Sequence, residues 1–375
     1  MRIKALQVVN IPFVLPYYFG DQIKFLKDIG INITIACSPG TELTKFCSKY
    51  GVNEVPVHIL RKIDFTTDLK SLIQLYRVIK KEKFDYVIGH TPKGALLSMI
   101  AAKLAGVKNR VYFRHGIVFE TSEGVKRKLM LFLENLTTRL ATQVISVSPS
   151  VLKLSKENSP KNSSKDMLLN KGTCNGIDLN RFISYKSNED RAEFGISIED
   201  RVIGFVGRLV NDKGINELID AWKIIISENH NVKLLLVGPF EDRDTLSTEI
   251  KEYIQNEPSI IYTGHVDNTL PYYNVMDIFI LPSYREGFPT VVLEASAMSL
   301  PIITTKSTGC IDSIVENETG VFSKLNGVAL ADKIQFYLIN ERLRKQHGQN
   351  GRAWVEENFD QHVVWNCIKE AVFKI

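Results

Sequence analysis

The sequence contains no apolar run approaching the roughly 20 residues that a membrane-spanning helix requires. Residues 1–13 are too short and too strand-like to be a secretory signal. The five cysteines are odd in number, scattered and without metal-ligand spacing: Cys37, Cys47, Cys174, Cys310 and Cys367. These absences argue against a membrane-spanning protein and a disulfide framework, and we expect free thiols in a reducing cytoplasm.

The charge is unevenly distributed along the 375 residues, which is a length typical of about two domains. The net charge is +5, but residues 1–180 hold 27 Lys+Arg and 14 Asp+Glu, whereas residues 181–375 hold 20 and 28. This asymmetry indicates that the first half faces an anionic partner. This partner could be nucleic acid, an anionic membrane surface or a phosphorylated substrate.

Strand-like and helix-like segments alternate in both halves. In the first half, strands are predicted at 2–9, 32–37, 54–59, 86–90, 110–115 and 143–148, and helices near 17–29, 41–50, 66–82, 92–105 and 123–140. In the second half, strands are predicted at 202–206, 233–237, 260–263, 278–282 and 301–304, and helices near 214–229, 244–256, 328–339 and 341–357. This alternation predicts parallel sheets covered on both faces. We expect two doubly wound α/β domains, 1–180 and 181–359, facing each other across a cleft, with a helix at 360–375 returning to the first.

The most informative stretch is 285–294, REGFPTVVLE, which follows the apolar strand 278–282. Gly287 and Pro289 break the chain, and a helix is predicted to begin at Thr290. A helix start offers unpaired amides and partial positive charge, which suits a phosphate. Glu286 precedes this helix and Glu294 lies one turn inside it. Two solvated surface acids are the alternative interpretation.

Arg208 and Lys213 lie in a second loop, 207–214, which follows the first predicted strand of the second half. The two cations would hold a diphosphate by charge-assisted hydrogen bonds. A solvated turn explains the same residues equally well.

Two histidines occupy strand ends in the first half. His115 is followed by Gly116, which permits close approach of a ligand to the backbone, whereas His90 has no such support. Histidines at such positions are more often structural than catalytic. The predicted helix 123–140 mixes cations with apolar residues, so it suits either an anionic lipid surface or an ordinary core-facing position.

These residues resemble the motifs of the retaining glycosyltransferases of family 4, over nearly the whole chain. The resemblance is carried by Arg208 with Lys213, by 286–289 running on to Glu294, by His115-Gly116 and by 175–178, NGID. It implies the GT-B fold, in which two Rossmann-like domains bind mainly the acceptor and mainly the nucleotide sugar. The stretches 281–289 and 309–312 are similar to bacterial enzymes that add a sugar to a polyprenyl-diphosphate-linked acceptor.

The resemblance also implies roles for individual residues. Arg208 and Lys213 would bind the donor diphosphate, Glu294 the ribose, and Glu286 and His115 the transferred sugar near the reacting centre. The other expected donor-binding positions are the amides of Thr290 and Val291, Gly287 and Phe288 in the same loop, and the backbone near Val266, which would meet the base.

The sequence departs from the family in its first loop. Many members carry paired glycines there, whereas 10–20, NIPFVLPYYFG, has Gly20 alone. Tyr17 and Tyr18 are instead expected to shape an acceptor pocket with Gly20 and His90.

The resulting expectation is a metal-independent, retaining hexosyltransferase. It would move a hexose or N-acetylhexosamine from a UDP-linked donor to a lipid-linked glycan in surface polysaccharide synthesis, such as that of a capsule. It would bind no nucleic acid and no cofactor, and it would lie at the inner face of the cell membrane through the basic first half. The alternatives are a nucleotide-sugar epimerase or sugar phosphorylase on the same fold, and a non-catalytic module that binds anions or nucleic acid.

Overall fold

A computed structural model describes residues 3–159, 164–185 and 188–375. The chain divides into two compact units, one made of Met1–Gly176 with Gln361–Ile375 and the other of Ile177–Asp360. Residue 2, the first residue of the predicted strand 2–9, lies outside the described residues. No helix in the described ranges is both long enough and apolar enough to cross a membrane.

The described part of the first unit contains a seven-stranded parallel sheet. Its strands are β1 (Ile3–Val8), β2 (Ile31–Cys37), β3 (Asn53–Pro56), β4 (Tyr86–His90), β5 (Asn109–Arg114), β6 (Gln143–Ser146) and β7 (Asp166–Leu168). The strand order is β3-β2-β1-β4-β5-β6-β7. The order reverses between β1 and β4, which makes their carboxyl ends the ligand-binding edge expected of a doubly wound sheet.

Helices cover this sheet, and apolar clusters fill the space on its two faces. The helices are α1 (Leu15–Tyr18), α2 (Gln22–Asp28), α3 (Thr41–Tyr50), α4 (Phe65–Glu82), α5 (Pro92–Ala105), α6 (Gly124–Leu140) and α7 (Pro149–Asn158), with α15 (Gln361–Ile368) from the end of the chain. The prediction of one helix over 17–29 is wrong, because Gly20 takes a φ of +46° and separates α1 from α2.

The second unit repeats the arrangement with six parallel strands among its described residues. They are β8 (Arg201–Val206), β9 (Val232–Val237), β10 (Ile260–Tyr262), β11 (Ile278–Leu281), β12 (Ile302–Thr305) and β13 (Gly320–Ser323). Their order, β10-β9-β8-β11-β12-β13, reverses between β8 and β11. The loops after these two strands are those that carry Lys213 and Glu286.

The helices of the second unit are α8 (Asn188–Glu193), α9 (Ile215–Glu228), α10 (Thr248–Asn256), α11 (Leu270–Val275), α12 (Thr290–Ala297), α13 (Gly327–Ile339) and α14 (Glu341–Phe359). The strands of this unit are mostly buried, apart from β10, and β11 is buried at every residue. Trp222 of α9 is fully buried in this core and donates from its indole nitrogen to Ser259 Oγ at 2.9 Å. Each such buried apolar side chain contributes about 1.5–3 kcal/mol.

The structure confirms the predicted fold of two parallel-sheet, doubly wound α/β units. The sequence patterns missed α7, α8, α11, β7 and β13, which are mostly short or follow no clear hydrophobic periodicity.

Candidate functional site

Three loops of the second unit meet at the carboxyl edge of its sheet, where the strand order reverses. They follow β8, β11 and β12 and span 207–214, 282–289 and 306–310. In an open parallel sheet, ligands bind in the crevice beside such a point. The sequence pattern identified the first two loops, and the third entered only through the resemblance of 309–312.

Glycines allow the loop backbones to approach one another closely. Gly214 has a φ of +69°, and a Cβ added there would lie 2.0 Å from the carbonyl oxygen of Pro282. Gly309 has a φ of +78°, and a Cβ there would lie 2.5 Å from the carbonyl oxygen of Glu286. Any larger residue would therefore push the loops apart, so both glycines are required for the geometry around Glu286.

Hydrogen bonds fix the loop that carries Glu286. The backbone amide of Glu286 donates to Thr308 O at 2.8 Å. The carbonyl of Ser283 accepts from the hydroxyls of Thr305 at 2.7 Å and Ser307 at 2.8 Å. Glu286 is therefore held by the third loop as well as by its own, a contribution that sequence spacing did not reveal.

Lys213 and Glu286 form an ion pair in this junction. Their side chains are only 16% and 15% exposed, respectively, so water screens the pair weakly. Lys213 ends a 3₁₀ turn, Asn211–Lys213, directly before α9. The structure thus brings together two residues that the sequence analysis selected from separate loops. Nearby Cys310 is buried, and desolvation together with the Glu286 carboxylate raises the pKa of its thiol to about 11.

The side chain of Arg208 pairs with a carboxylate outside the Lys213–Glu286 ion pair. Its guanidinium pairs with Glu241, which follows β9, and its side chain is 45% exposed. The structure therefore places Arg208 on the same loop as Lys213 but against a different carboxylate from Glu286.

Helix α12 begins directly after the Glu286 loop. Pro289 is its N-cap, so Thr290 and Val291 occupy the first turn, as predicted. The carboxylate of Glu294, one turn further on, accepts from the Tyr273 hydroxyl at 2.9 Å. Burial raises the pKa of Glu294 to about 7, although Tyr273 and the charge of Arg181 oppose the rise. Tyr273, on α11, was not found from the sequence because no pattern marks it.

The remaining donor-side candidates are Phe288, Val266 and Gly287. The ring of Phe288 packs on Phe359 at 5.3 Å and on the apolar core. Val266 is partly buried against the same core beyond β10. The carbonyl of Gly287 lies against the third loop, 2.7 Å from where a Cβ of Gly309 would be.

A second constellation lies in the first unit, at the edge where its strand order reverses. His90 ends β4 and is buried, and His115 follows β5. His90 Nδ1 lies 2.9 Å from His115 Nε2, and His90 Nε2 lies 2.8 Å from Gln7 Oε1 in β1. The structure thus joins the two predicted histidines directly. Gln7 was missed; a polar residue inside the apolar strand Ile3–Val8 was the available signal.

Aromatic rings enclose the two histidines. Tyr18 stacks on His115 with ring centroids 3.7 Å apart, and Phe113 stacks on His90 at 5.1 Å. Burial lowers the pKa of His115 to about 3 and the pKa of His90 well below its usual value. Burial also raises the pKa of the Tyr18 phenol.

The other two acceptor-side candidates lie close by. Tyr17 is largely exposed, and its carbonyl accepts from Asn175 Nδ2 at 3.4 Å. Gly20 follows α1 in its left-handed conformation, with the Pro16 carbonyl 3.1 Å from where a Cβ would lie.

Within the ranges that the structure describes, no group of three or more His, Cys, Asp or Glu side chains is arranged to hold a metal ion.

Comparison with known proteins identifies related families for both units. Residues 186–354 match the family model described as glycosyl transferases group 1, and residues 7–148 match that described as glycosyl transferase 4-like.

Two related proteins align over most of their lengths. The capsular polysaccharide biosynthesis glycosyltransferase CapM of Staphylococcus aureus is 34% identical over 364 residues, covering 96% of this chain and 94% of CapM. The UDP-Gal:alpha-D-GlcNAc-diphosphoundecaprenol alpha-1,3-galactosyltransferase of Escherichia coli is 29% identical over 314 residues, covering 82% of this chain and 80% of that enzyme.

A solved structure matches the entire fold. Anabaena HepE in complex with UDP has a TM-score of 0.81 with 19% identity, and 100% of each chain is covered. The architecture is therefore GT-B, as expected from the sequence.

Proposed function

This chain belongs to the group 1 glycosyltransferases, and we propose that it transfers a hexose or N-acetylhexosamine from a UDP-sugar to a lipid-linked glycan. The acceptor would be a sugar hydroxyl on a polyprenyl diphosphate, and the product would enter a surface polysaccharide such as a capsule. The names of the S. aureus and E. coli relatives, and the UDP bound to HepE, support this donor and acceptor class.

The observation that carries the proposal is the contact of Lys213 with Glu286 beside the start of α12. A diphosphate bound there would gain the Lys213 ammonium and the amides of Thr290 and Val291. These groups are fixed before the reaction and would stabilise the negative charge that grows on the leaving diphosphate. Arg208 would add a second cation by exchanging Glu241 for a phosphate oxygen.

The same region would bind the rest of the donor. The carboxylate of Glu294 would accept hydrogen bonds from the ribose hydroxyls, and backbone groups near Val266 would meet the base. Glu286 would face the transferred sugar, together with His115. Lys213, Arg208 and the helix amides would supply the positive charge that a metal ion supplies elsewhere, so transfer would need no metal.

In the transfer step, the bond between the anomeric carbon and the diphosphate oxygen breaks and a bond to the acceptor oxygen forms. Transfer would retain the anomeric configuration. Glu286 would act either as the nucleophile of a two-step reaction or as a group that positions the sugar while the leaving diphosphate takes the acceptor proton.

The acceptor would bind mainly to the first unit and the enzyme would associate with the membrane as a peripheral protein. On α6, the exposed apolar residues Val125, Leu129 and Phe132 lie among the exposed cations at 126–128. An apolar stripe beside cations suits the surface of an anionic bilayer, where a polyprenyl-linked acceptor resides.

Substitution at Glu286 tests the proposal. We expect Glu286→Ala to abolish sugar transfer from UDP-sugars to a polyprenyl-diphosphate-linked acceptor without changing the thermal unfolding temperature by more than a few degrees. Glu286→Gln distinguishes the two roles, because an amide can position a sugar but cannot act as a nucleophile. The matched control is Glu316→Gln in the same unit, where Glu316 pairs with Lys306 at 3.0 Å.

Product analysis by mass spectrometry, with and without acceptor, measures the outcome. Turnover like that of the wild type in Glu286→Ala would reject the proposed site. Consumption of the UDP-sugar without acceptor would indicate an epimerase instead. Salt-dependent binding of nucleic acid without binding of any sugar nucleotide would indicate a non-catalytic module.

A further inference from the structure

Gln7, His90 and His115 form a continuous row across three neighbouring strands of the first unit. Gln7 lies in β1, His90 ends β4 and His115 follows β5, and these strands are adjacent in the sheet. The two hydrogen bonds that join them measure 2.8 Å and 2.9 Å. Gln7 and His90 lie in strands and His115 follows a third strand directly, so one sheet sets the backbone positions of all three residues.

The protons in this row can be placed from the chemistry of its first member. Gln7 Oε1 is a carbonyl oxygen and can only accept, so His90 Nε2 carries hydrogen. A neutral imidazole has one protonated nitrogen, so His90 Nδ1 is the acceptor in the contact with His115. His115 Nε2 therefore donates, and His115 Nδ1 is left with a lone pair.

The surroundings keep both rings neutral and in place. Burial lowers the pKa of each imidazole, and the proximity of the two rings further disfavours a charge on His90. Tyr18 lies parallel to His115 within 4° at 3.7 Å, and Phe19 meets His90 edge-on at 4.9 Å. Rotation of either ring would break both the stacking and the hydrogen bonds.

We propose that His90 and Gln7 are positioning residues that hold His115 in one orientation and one tautomer, so that Nδ1 of His115 accepts a hydrogen bond from a sugar hydroxyl. The hydrogen bonds that join Gln7, His90 and His115 are inferred from the geometry of the first unit alone. Its catalytic consequence rests on the proposed function, in which His115 contacts the transferred sugar.

Nitrogen-15 NMR of histidine-labelled full-length protein tests the tautomer directly. In the wild type, we expect His90 and His115 each to show a protonated Nε2 and an unprotonated Nδ1. In His90→Phe, which keeps an aromatic ring against Phe113 and Phe19 but removes the acceptor, we expect the His115 nitrogens to move towards averaged values. A protonated Nδ1 on His115 in the wild type would overturn the proposal.

Kinetics test the consequence for transfer. We expect kcat/KM of His90→Phe to fall about ten- to hundredfold, because one hydrogen bond of the reacting sugar is no longer held in place. His90→Asn should recover most of this loss, because its Oδ1 can take the place of His90 Nδ1. Should His90→Phe fail to fold, Gln7→Met provides the second variant, with an averaged His115 tautomer and a smaller loss of activity.

The possible failures are distinguishable. Equal loss of activity in His90→Phe and His90→Asn, with His115 nitrogens unchanged from the wild type, would mean a purely structural role and would overturn the proposal. An unchanged kcat/KM in a folded His90→Phe would do the same. If the wild type transfers no sugar at all, the proposed function fails, but the NMR result still decides whether the row sets the tautomer of His115.

Discussion

At the scale of single residues, two glutamates at the candidate donor site occupy opposite electrostatic environments. Glu286 is stabilised by the ammonium of Lys213, whereas Glu294 is desolvated and its hydrogen bond to Tyr273 compensates only in part. Ionising this partly buried carboxylate costs free energy in the unliganded protein, so Glu294 does not serve to stabilise the fold. The ionised form of Glu294 becomes favourable when ligand hydroxyls donate hydrogen bonds to it, so its environment fits the proposed ribose-binding role.

The raised pKa of Glu294 leads to a pH dependence of stability. Its pKa is about 7 in the folded protein and near the ordinary 4.5 when unfolded, so the folded state binds the extra proton between these values. The contribution of Glu294 to stability is therefore greatest below pH 4.5 and declines as the pH rises towards 7. Glu294→Gln should stabilise the unliganded protein at pH 8 by on the order of 1–2 kcal/mol and have little effect at pH 5.

Urea unfolding at both pH values measures this difference, with the exposed Glu252→Gln on α10 as control. Binding of UDP to the wild type should also weaken as the pH falls below about 7, because hydroxyl donors require the ionised carboxylate. Equal effects of Glu294→Gln at pH 5 and pH 8 would contradict the assignment.

The sequence predicted individual charged residues near glycines and strand ends, but it did not predict which side chains contact one another. Lys213 and Glu286 are 73 positions apart, and their contact depends on β8 and β11 lying side by side. Tyr273 carries no local signal of function, and the signal of Gln7 is only that a polar residue interrupts an apolar strand. The partners of both residues are set by the side chains that the fold places beside them.

At the scale of elements, α6 presents two different faces. Its inner face carries Glu134 and Thr138, which bind the fully buried guanidinium of Arg114 at 2.7 and 2.9 Å. A buried charge must be paired, and these contacts fix the helix against β5. Its outer face leaves Val125, Leu129 and Phe132 exposed. The two interpretations offered by the sequence therefore apply to different faces of one helix.

The exposed face of α6 predicts association with an anionic bilayer. Leu129→Ser combined with Phe132→Ser should lower binding to vesicles containing phosphatidylglycerol by at least tenfold, because two apolar side chains no longer enter the lipid. Leu104→Ser is the matched control, since Leu104 is an exposed apolar residue on α5. Sedimentation with vesicles at low salt measures the effect.

Unchanged vesicle binding in the double variant would show that the exposed face of α6 does not bind the membrane. It would not contradict the proposed transferase activity, because neither substituted residue is among the candidate donor-site or acceptor-side residues.

Element prediction succeeded where the hydrophobic pattern was long and failed where it was short. Helices α3, α4 and α5 lie within a residue of their predicted bounds. Helices α3 and α4 each carry a clear apolar face, whereas α5 is a largely apolar run that begins with proline and ends before Gly106. The three-residue strand β7 and the six-residue helix α11 are too short for periodicity to identify. Their positions are set by tertiary packing.

At the scale of the whole molecule, the chain uses one sheet topology twice and places a different chemistry at each point of reversal. The first unit has an uncharged row of imidazoles and an amide at this edge, and the second has a partly buried ion pair beside a helix start. The sequence predicted this architecture because the alternation of strands and helices spans the whole chain. Which side chains meet at each edge follows from strand order, which the alternation does not specify.

Binding of the donor diphosphate by Lys213 is tested most directly by the affinity for UDP, measured by isothermal titration calorimetry in the presence of EDTA. We predict that the wild type binds UDP without added metal and that Lys213→Ala weakens binding by about ten- to hundredfold, the value of one charge-assisted contact to the diphosphate. The control Lys223→Ala, at an exposed lysine on α9 of the same unit, should bind like the wild type. Equal UDP affinity in the wild type and Lys213→Ala would contradict the role of Lys213 in binding the diphosphate.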